Sequence, residues 1–414
     1  MSAADERGLL ATSITLVATS GKVGKSFTFV KILFFNDSPP ILTYNYNIFI
    51  RGGAGVLDEY FMRRALKLAL RGAGKVSPNP MVGAVLVKDG KIIAEGYHEY
   101  YGGPHAEVVA LDKAGDDAKG ATLYVNLEPC SHFGKTPPCA PRIVSAGIKR
   151  VVISTLDPNP LVAGKGVKLL RESGVSVTVG VLEKEAKKLN EAFFKWITQK
   201  IPFVALKVAT TLDGKIATLK GESKWITSLP SRRLVHKLRA FYDAVLVGIG
   251  TVLADDPELN VRLVKGRNPV RVILDAYLRI PENAKVLSSA GKVMVFHSQF
   301  ASQEKLNRLR RLGVELIEVP LYEGNLLDLR SVLEKMGELG IASVLVEGGR
   351  GVFSSFIKRR LADKLFYFLA PKLIGKGIGP FDEVEVDSLD SSVKIKDLSL
   401  RRIGEDVLLE GYVI

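Results

Sequence analysis

Apolar residues recur with a helical period from residue 58 onward. Phe61, Met62, Ala65, Leu66 and Ala69 share one face before Gly72 and Gly74 end the run, and Asp58 is the predicted N-cap. The period then changes. Residues 82–87 and 91–97 read as two strands around Asp89-Gly90, a tight hairpin turn. A helix over 106–114, a buried strand over 122–127, a helix after Cys139 and a strand over 150–155 follow. A helix from Gly164, a strand over 175–179 and one long helix over 182–198 lead to Ile201-Pro202, a natural stop. Alternation restarts beyond it, with strands at 204–209, 244–248, 270–274, 292–296, 314–319 and 343–346 and helices between most of them. A helical pattern over 352–361 and two closing β segments that end near Tyr412 complete the chain.

The first half is therefore predicted to be a sheet sandwiched by helices. At 414 residues, two domains are expected, 57–200 and 201–414, and no internal repeat relates them. Residues 1–56 lack any sustained period, and their apolar stretch over 27–35 is short and interrupted by Lys31. That is a poor secretory signal. This N-terminal extension is expected to be poorly ordered or to follow a misassigned start.

Charge narrows the list of partners. Lys and Arg number 58 against 44 Asp and Glu, a net +14, yet the longest basic block is only Lys358-Arg359-Arg360 and aromatic residues are not interleaved with it. Scattered, solvated charge fits this pattern best, local phosphate pockets come second and nucleic acid a distant third. No apolar run approaches the ~18 residues of a membrane span. Both cysteines lie in one segment, which leaves no disulfide framework and suggests a reducing, cytoplasmic setting.

That segment carries the chemistry. Cys130 and Cys139 enclose eight residues and lie downstream of His105-Ala106-Glu107. One His and two Cys would hold zinc and leave a fourth tetrahedral position for water. Glu107, two residues from a ligand, could then move protons. The arrangement resembles the zinc nucleobase deaminase signature, H-x-E followed by P-C. Buried cysteines can be mere small hydrophobes, but here the ligand-bearing segments begin at a strand end and a helix start, where side chains converge. A closed structural zinc would need a fourth protein ligand, from His132 or a carboxylate. Gly348-Gly349 follows an apolar strand and precedes a helical pattern, a place where backbone can approach a pyrophosphate. No G-x-G-x-x-G opens the second half.

Further motifs name a family. Ser77-Pro-Asn-Pro80, His105-Ala-Glu107, Glu128-Pro-Cys-Ser-His-Phe-Gly-Lys-Thr-Pro-Pro-Cys139 and Asp157-Pro-Asn-Pro160 resemble the bifunctional riboflavin-biosynthesis deaminase/reductases. So do Leu212-Asp-Gly214, Ser223-Lys-Trp-Ile-Thr227, Gly250-Thr-Val-Leu-Ala-Asp-Asp-Pro257, Val346-Glu-Gly-Gly349 and Ala370-Pro-Lys-Leu-Ile-Gly375. The match starts near Asp58 and reaches the C-terminus. It implies an α/β protein: a cytidine-deaminase-like α/β/α domain followed by a dihydrofolate-reductase-like α/β domain.

It also implies one zinc per chain, NADPH and two successive reactions. The first is hydrolytic loss of the ring 2-amino group of 2,5-diamino-6-ribosylamino-4(3H)-pyrimidinone 5′-phosphate. The second is reduction of the ribosyl chain, giving 5-amino-6-ribitylamino-uracil 5′-phosphate. By resemblance, Glu107 is catalytic, and Asn79, His98, His132, Lys135, Asp157 and Asn159 bind the deaminase substrate. Lys207, Ser223, Arg239, Leu259, Arg262 and Glu347 bind the reductase substrate, the two arginines being suited to a phosphate. Ala209, Trp225, Thr251, Asp255, Gly348 and Gly349 meet the nicotinamide cofactor. Lys207 or Asp255 supplies a proton as the sugar opens. Family members tend to form homo-oligomers. The alternative is a tRNA or nucleoside deaminase fused to an unrelated α/β domain.

Overall fold

The computed structural model describes residues 54–133, 137–159, 162–288 and 290–414. The expectation for the N-terminal extension lies almost wholly outside them.

Helix Ala54–Ala69 begins ahead of Asp58, so Asp58 is not an N-cap. Its carboxylate instead reaches sideways to the sheet. It accepts from Tyr124 Oη at 2.9 Å and from Arg150 Nη1 and Nη2 at 2.8 and 2.6 Å. Burial pushes the Asp58 carboxyl up, but Arg150 and Tyr124 together outweigh it and hold it below its ordinary value. A depressed carboxyl stabilises the fold fully above its unfolded value, about 4, and this contribution fades as pH falls through the lower folded value. Asp58→Asn is expected to melt earlier than the parent at pH 7. Melting curves should show that gap narrowing once the pH drops below about 4.

Five strands form the first sheet, in the order Lys91–Tyr97, Gly83–Lys88, Thr122–Leu127, Arg150–Thr155 and Ser176–Val179. The first three pair antiparallel, and the last three run parallel. Side chains alternate between its faces. Ala84, Leu86, Leu123 and Ile153 meet residues of helices Ala106–Ala114, Cys139–Ser145 and Lys165–Glu172. Val85, Val87, Tyr124 and Val152 meet those of helices Ala54–Ala69 and Glu183–Leu189. The sheet is thus covered on both faces, as its pattern implied.

The single long helix expected over 182–198 is two helices, Glu183–Leu189 and Glu191–Gln199. Asn190 separates them with φ −110° and ψ 24°. Its side-chain amide brackets Met81, accepting from the Met81 N–H at 2.8 Å and donating to the Met81 carbonyl at 2.9 Å. That two-point bond to another segment holds the chain out of helical geometry.

Nine strands form the second sheet, in the order Glu315–Glu318, Val293–His297, Val270–Leu274, Ala244–Gly248, Ser343–Gly348, Phe203–Thr211, Lys364–Ala370, Asp406–Val413 and Ile395–Ile403. Neighbours are parallel from the first edge to Lys364–Ala370, after which the two closing strands pair antiparallel. Ala244–Gly248 and Val293–His297 are buried along their whole length, as parallel strands covered on both faces must be. Strand Lys364–Ala370 has no counterpart in the pattern reading. After its first residue it is an unbroken apolar run, so period 2 emerges only in its alternating burial.

Among the described residues, no helix is long and apolar enough to cross a membrane.

Candidate active sites

In a sheet with parallel strands, ligands gather beyond the carboxyl ends of the strands. Strand Thr122–Leu127 leads there to Cys130, and strand Arg150–Thr155 leads to Asp157. His105 precedes helix Ala106–Ala114 in extended conformation, while Cys139 opens the next helix. These placements bring three donors together. His105 Nδ1 lies 3.2 Å from Cys139 Sγ and 3.6 Å from Cys130 Sγ, and the three donor atoms fall within 4.8 Å of one another.

The trio fits zinc. Ordinary Zn–N and Zn–S bonds at a tetrahedral angle separate nitrogen from sulfur by about 3.5 Å. A hydrogen bond from Cys139, with His105 beside it, pulls the Cys130 thiol down to about 4 against the effect of burial; the same bond and burial push Cys139 up. The pair therefore shares a proton that a divalent cation would displace.

Glu107 lies in the first turn of the same helix and is 3% exposed. Its Oε2 has no hydrogen-bond partner among the described residues. Burial pushes its carboxyl above the ordinary range, against the pull of His105. An orphaned carboxylate oxygen in such a place is costly unless a ligand meets it.

His98 is buried beside His105, with ring centroids 5.6 Å apart. Its Nδ1 lies 3.0 Å from the Pro104 carbonyl, which can only accept, so Nδ1 carries the proton. Its Nε2 therefore accepts from Asn79 Nδ2, at 3.1 Å. Burial holds His98 below the ordinary imidazole value, which keeps this neutral tautomer in place. The Asn79 amide is thereby oriented.

His132 Nδ1 is buried and has no partner among the described residues. Asp157 accepts from the Asn159 N–H at 2.8 Å, yet burial pushes its carboxyl up to about 6. Lys135 lies outside the described residues. Sequence reading missed Glu128, the buried organiser of this loop. Its carboxylate accepts from the N–H groups of Asp157, Gly164 and Val167 at 3.3, 2.9 and 3.1 Å. Nothing in its local sequence marks that role.

The second site is a cavity of about 1200 Å³ at the carboxyl ends of the nine-stranded sheet. Every reductase position expected from sequence lines it: Lys207, Ala209, Ser223, Trp225, Arg239, Thr251, Asp255, Leu259, Arg262, Glu347, Gly348 and Gly349. Their roles need revision in places. Arg239 does not offer a free fork to phosphate, because Nε and Nη2 donate to Glu347 at 2.6 and 2.8 Å and Nη1 donates to the Asn260 carbonyl at 3.0 Å. Leu259 is 2% exposed and belongs to the apolar core. Trp225, by contrast, is 56% exposed and not a core residue, with the Arg232 guanidinium 4.3 Å from its ring centroid.

Burial pulls the Lys207 ammonium below its ordinary value, opposed by Glu347 and assisted by Arg239. Ser223 Oγ donates to Asp255 Oδ1 at 2.8 Å. A Cβ added at Gly349 would come within 3.1 Å of Thr251 Oγ1, so this glycine lets two elements meet closely at the cavity. Sequence reading also missed His236. It stands three residues before Arg239 on helix Leu229–Phe241, and its Nδ1 accepts from the Arg262 N–H at 3.1 Å. Burial, with Arg239 and Arg262 nearby, brings this imidazole down to about 4. The i,i+3 spacing to Arg239 was the available signal.

Two family models cover these two sites separately. The cytidine and deoxycytidylate deaminase zinc-binding region matches residues 56–155, and the RibD C-terminal domain matches residues 202–409. The riboflavin biosynthesis protein RibD of Aquifex aeolicus (strain VF5) is 48% identical over 354 residues, spanning 85% of this chain and 98% of its own. The chain belongs to the RibD family.

RibD of Escherichia coli (strain K12) is 41% identical over 368 residues, 85% of this chain and 98% of its own. Solved RibD structures agree. Acinetobacter baumannii RibD, form 1, superposes with a TM-score of 0.79 at 40% identity, covering 87% of this chain and 99% of that one. The Thermotoga maritima diaminohydroxyphosphoribosylaminopyrimidine deaminase/5-amino-6-(5-phosphoribosylamino)uracil reductase gives 0.77 at 45% identity, covering 87% and 100%.

As a member of this family, the protein is a bifunctional deaminase and reductase of riboflavin biosynthesis, with zinc serving the first activity and NADPH the second. The fused-unrelated-domain alternative fails because the RibD C-terminal match accounts for the second half. Stripping zinc with a chelator is expected to stop ammonia release while leaving NADPH oxidation on the deaminated intermediate unchanged. Parallel assays before and after zinc is restored would check this.

Proposed function

We propose that residues 57–200 deaminate the phosphorylated diaminopyrimidinone and that residues 201–414 then reduce its ribosyl chain. The observation that carries the reading is the convergence of His105, Cys130 and Cys139 beside Glu107, whose Oε2 has no hydrogen-bond partner among the described residues. A zinc ion held by the three ligands would supply a water acidified to near neutrality. Glu107 Oε2 takes one proton from the attacking water and hands it to the ring nitrogen, then takes the second from the hydroxyl now on the ring carbon and delivers it to the amine, which leaves as ammonia as the carbonyl forms. Asn79 meets the base edge with its amide oxygen, oriented by His98. His132, Asp157 and Asn159, with Lys135, complete the pyrimidine and phosphate contacts.

In the reductase cavity NADPH supplies hydride. Gly348, Gly349, Thr251, Ala209, Trp225 and Asp255 would hold it, and the N-terminus of helix Arg350–Lys358, which follows Gly349, would favour the charge of its pyrophosphate. Lys207, with its ammonium destabilised by burial, donates the proton that opens the sugar. Ser223, Leu259 and the Arg239–Glu347 pair shape the ribosyl site, and Arg262 carries charge for the phosphate.

We place the enzyme in the cytoplasm, acting on small molecules and on neither nucleic acid nor membrane, as a homo-oligomer. Support for self-association comes from edge strand Ile395–Ile403, where Leu398 and Leu400 are 59% and 69% exposed. The test is a two-stage assay. Purified protein and the diaminopyrimidinone phosphate should release ammonia without NADPH, and NADPH added afterwards should lose its absorbance. NADPH loss without prior ammonia release would overturn the order.

A further inference from the structure

The loop that presents Asn79 to the deaminase site is anchored in the other half of the chain. Ser77 Oγ donates to Asp243 Oδ2 at 2.7 Å, across 166 residues of sequence. Asp243 is 7% exposed and immediately precedes strand Ala244–Gly248 of the nine-stranded sheet. Its carboxylate is itself fixed. Arg267 Nη2 donates to Oδ1 at 2.7 Å, while the N–H groups of Ala342 and Ser343 at 3.1 Å and Ser343 Oγ at 3.0 Å donate to Oδ2.

A second contact supports the same joint. Gly74 has φ +72°, and a Cβ there would collide with the Ala240 carbonyl of helix Leu229–Phe241. Backbone of the loop thus lies against reductase backbone. At the loop's far end, Asn190 and Asn126 hold Met81, with Asn126 Nδ2 donating to its carbonyl at 3.0 Å. Asn79 sits between these two anchors.

We infer that Asp243 is a positioning residue for deamination: through Ser77 it fixes the loop bearing Asn79, so the reductase half completes the deaminase substrate site. This rests on the reading that Asn79 meets the pyrimidine. The other end of the same strand, Gly248, caps the helix carrying Thr251 and Asp255. One five-residue strand, roughly 17 Å long at about 3.3 Å per residue, therefore reaches from the deaminase loop to the reductase cavity. A loop set by the reductase core also explains why these groups are so fully bonded: a mobile Asn79 would lose the orientation that His98 gives it.

Ser77→Ala is the clean probe, because Asp243 keeps its four reductase donors. In the full-length, zinc-loaded chain this variant is expected to raise the deaminase KM about tenfold, the scale of a lost hydrogen bond to a charged group. Deaminase kcat, zinc content and NADPH oxidation should stay at parental levels. Ser77→Thr restores a hydroxyl and should restore KM. A parental KM in Ser77→Ala would overturn the inference. So would loss of kcat together with zinc, which signals collapse of the site rather than mispositioning, or failure of threonine to rescue. Asn79→Ala separates the two readings: a parental KM there would sink the Asn79 assignment, while the anchor would still be judged on the Ser77 pair.

Discussion

Glu107→Gln is expected to slow ammonia release by about 10²–10⁴-fold, the usual worth of a positioned acid–base group, while one zinc per chain is retained. Glutamine keeps the volume and helix position of glutamate, so His105, Cys130 and Cys139 need not move. What it lacks is an oxygen that can take a proton and return it. The buried Glu107 Oε2, without a partner among the described residues, is the atom at issue. Metal analysis beside the ammonia assay separates a lost shuttle from a lost ion. NADPH oxidation of the deaminated intermediate, run on the same sample, should match the parent enzyme. Near-parental deamination would remove Glu107 from its role.

Arg239→Met is expected to destabilise the reductase half by about 3–5 kcal/mol and abolish reduction. The Arg239 and Glu347 side chains are only 11% and 7% exposed, and Arg239 meets both Glu347 carboxylate oxygens. Burial pushes the Glu347 carboxyl up, and Arg239, with Lys207 and His236, more than reverses this, so removing Arg239 takes away the direct partner of a buried charge. For a domain of this size that cost corresponds to a fall in Tm on the order of 10 °C. Pairing Arg239→Met with Glu347→Leu removes the stranded charge and should recover most of the stability, but not the activity. Calorimetry and NADPH oxidation on the single and double variants test both parts. Full reduction by the double variant would assign the pair to structure alone.

The two sites differed in how openly the chain declared them. The zinc ligands lie within 35 positions of one another, at ends of elements whose hydrophobic periods are clean, so His105, Cys130 and Cys139 could be read together. Most strands of both sheets followed from the same periods. Failures arose where a partner distant in sequence decided the outcome. Asn190 breaks a helix because Met81 occupies its amide. Asp58 leaves its expected cap because Arg150 and Tyr124 hold it. Arg239 looked free for phosphate because Glu347 stands 108 residues away. Strand Lys364–Ala370 failed differently, being apolar at both parities and so without a period to detect.

X-ray absorption at the zinc edge bears on the account at its root. Two sulfur neighbours at about 2.3 Å and two nitrogen or oxygen neighbours at about 2.0–2.1 Å are expected, with one light neighbour exchanging when the diaminopyrimidinone phosphate is added. A shell closed by four protein ligands, unchanged by substrate, would contradict it and make the metal a staple rather than a catalyst.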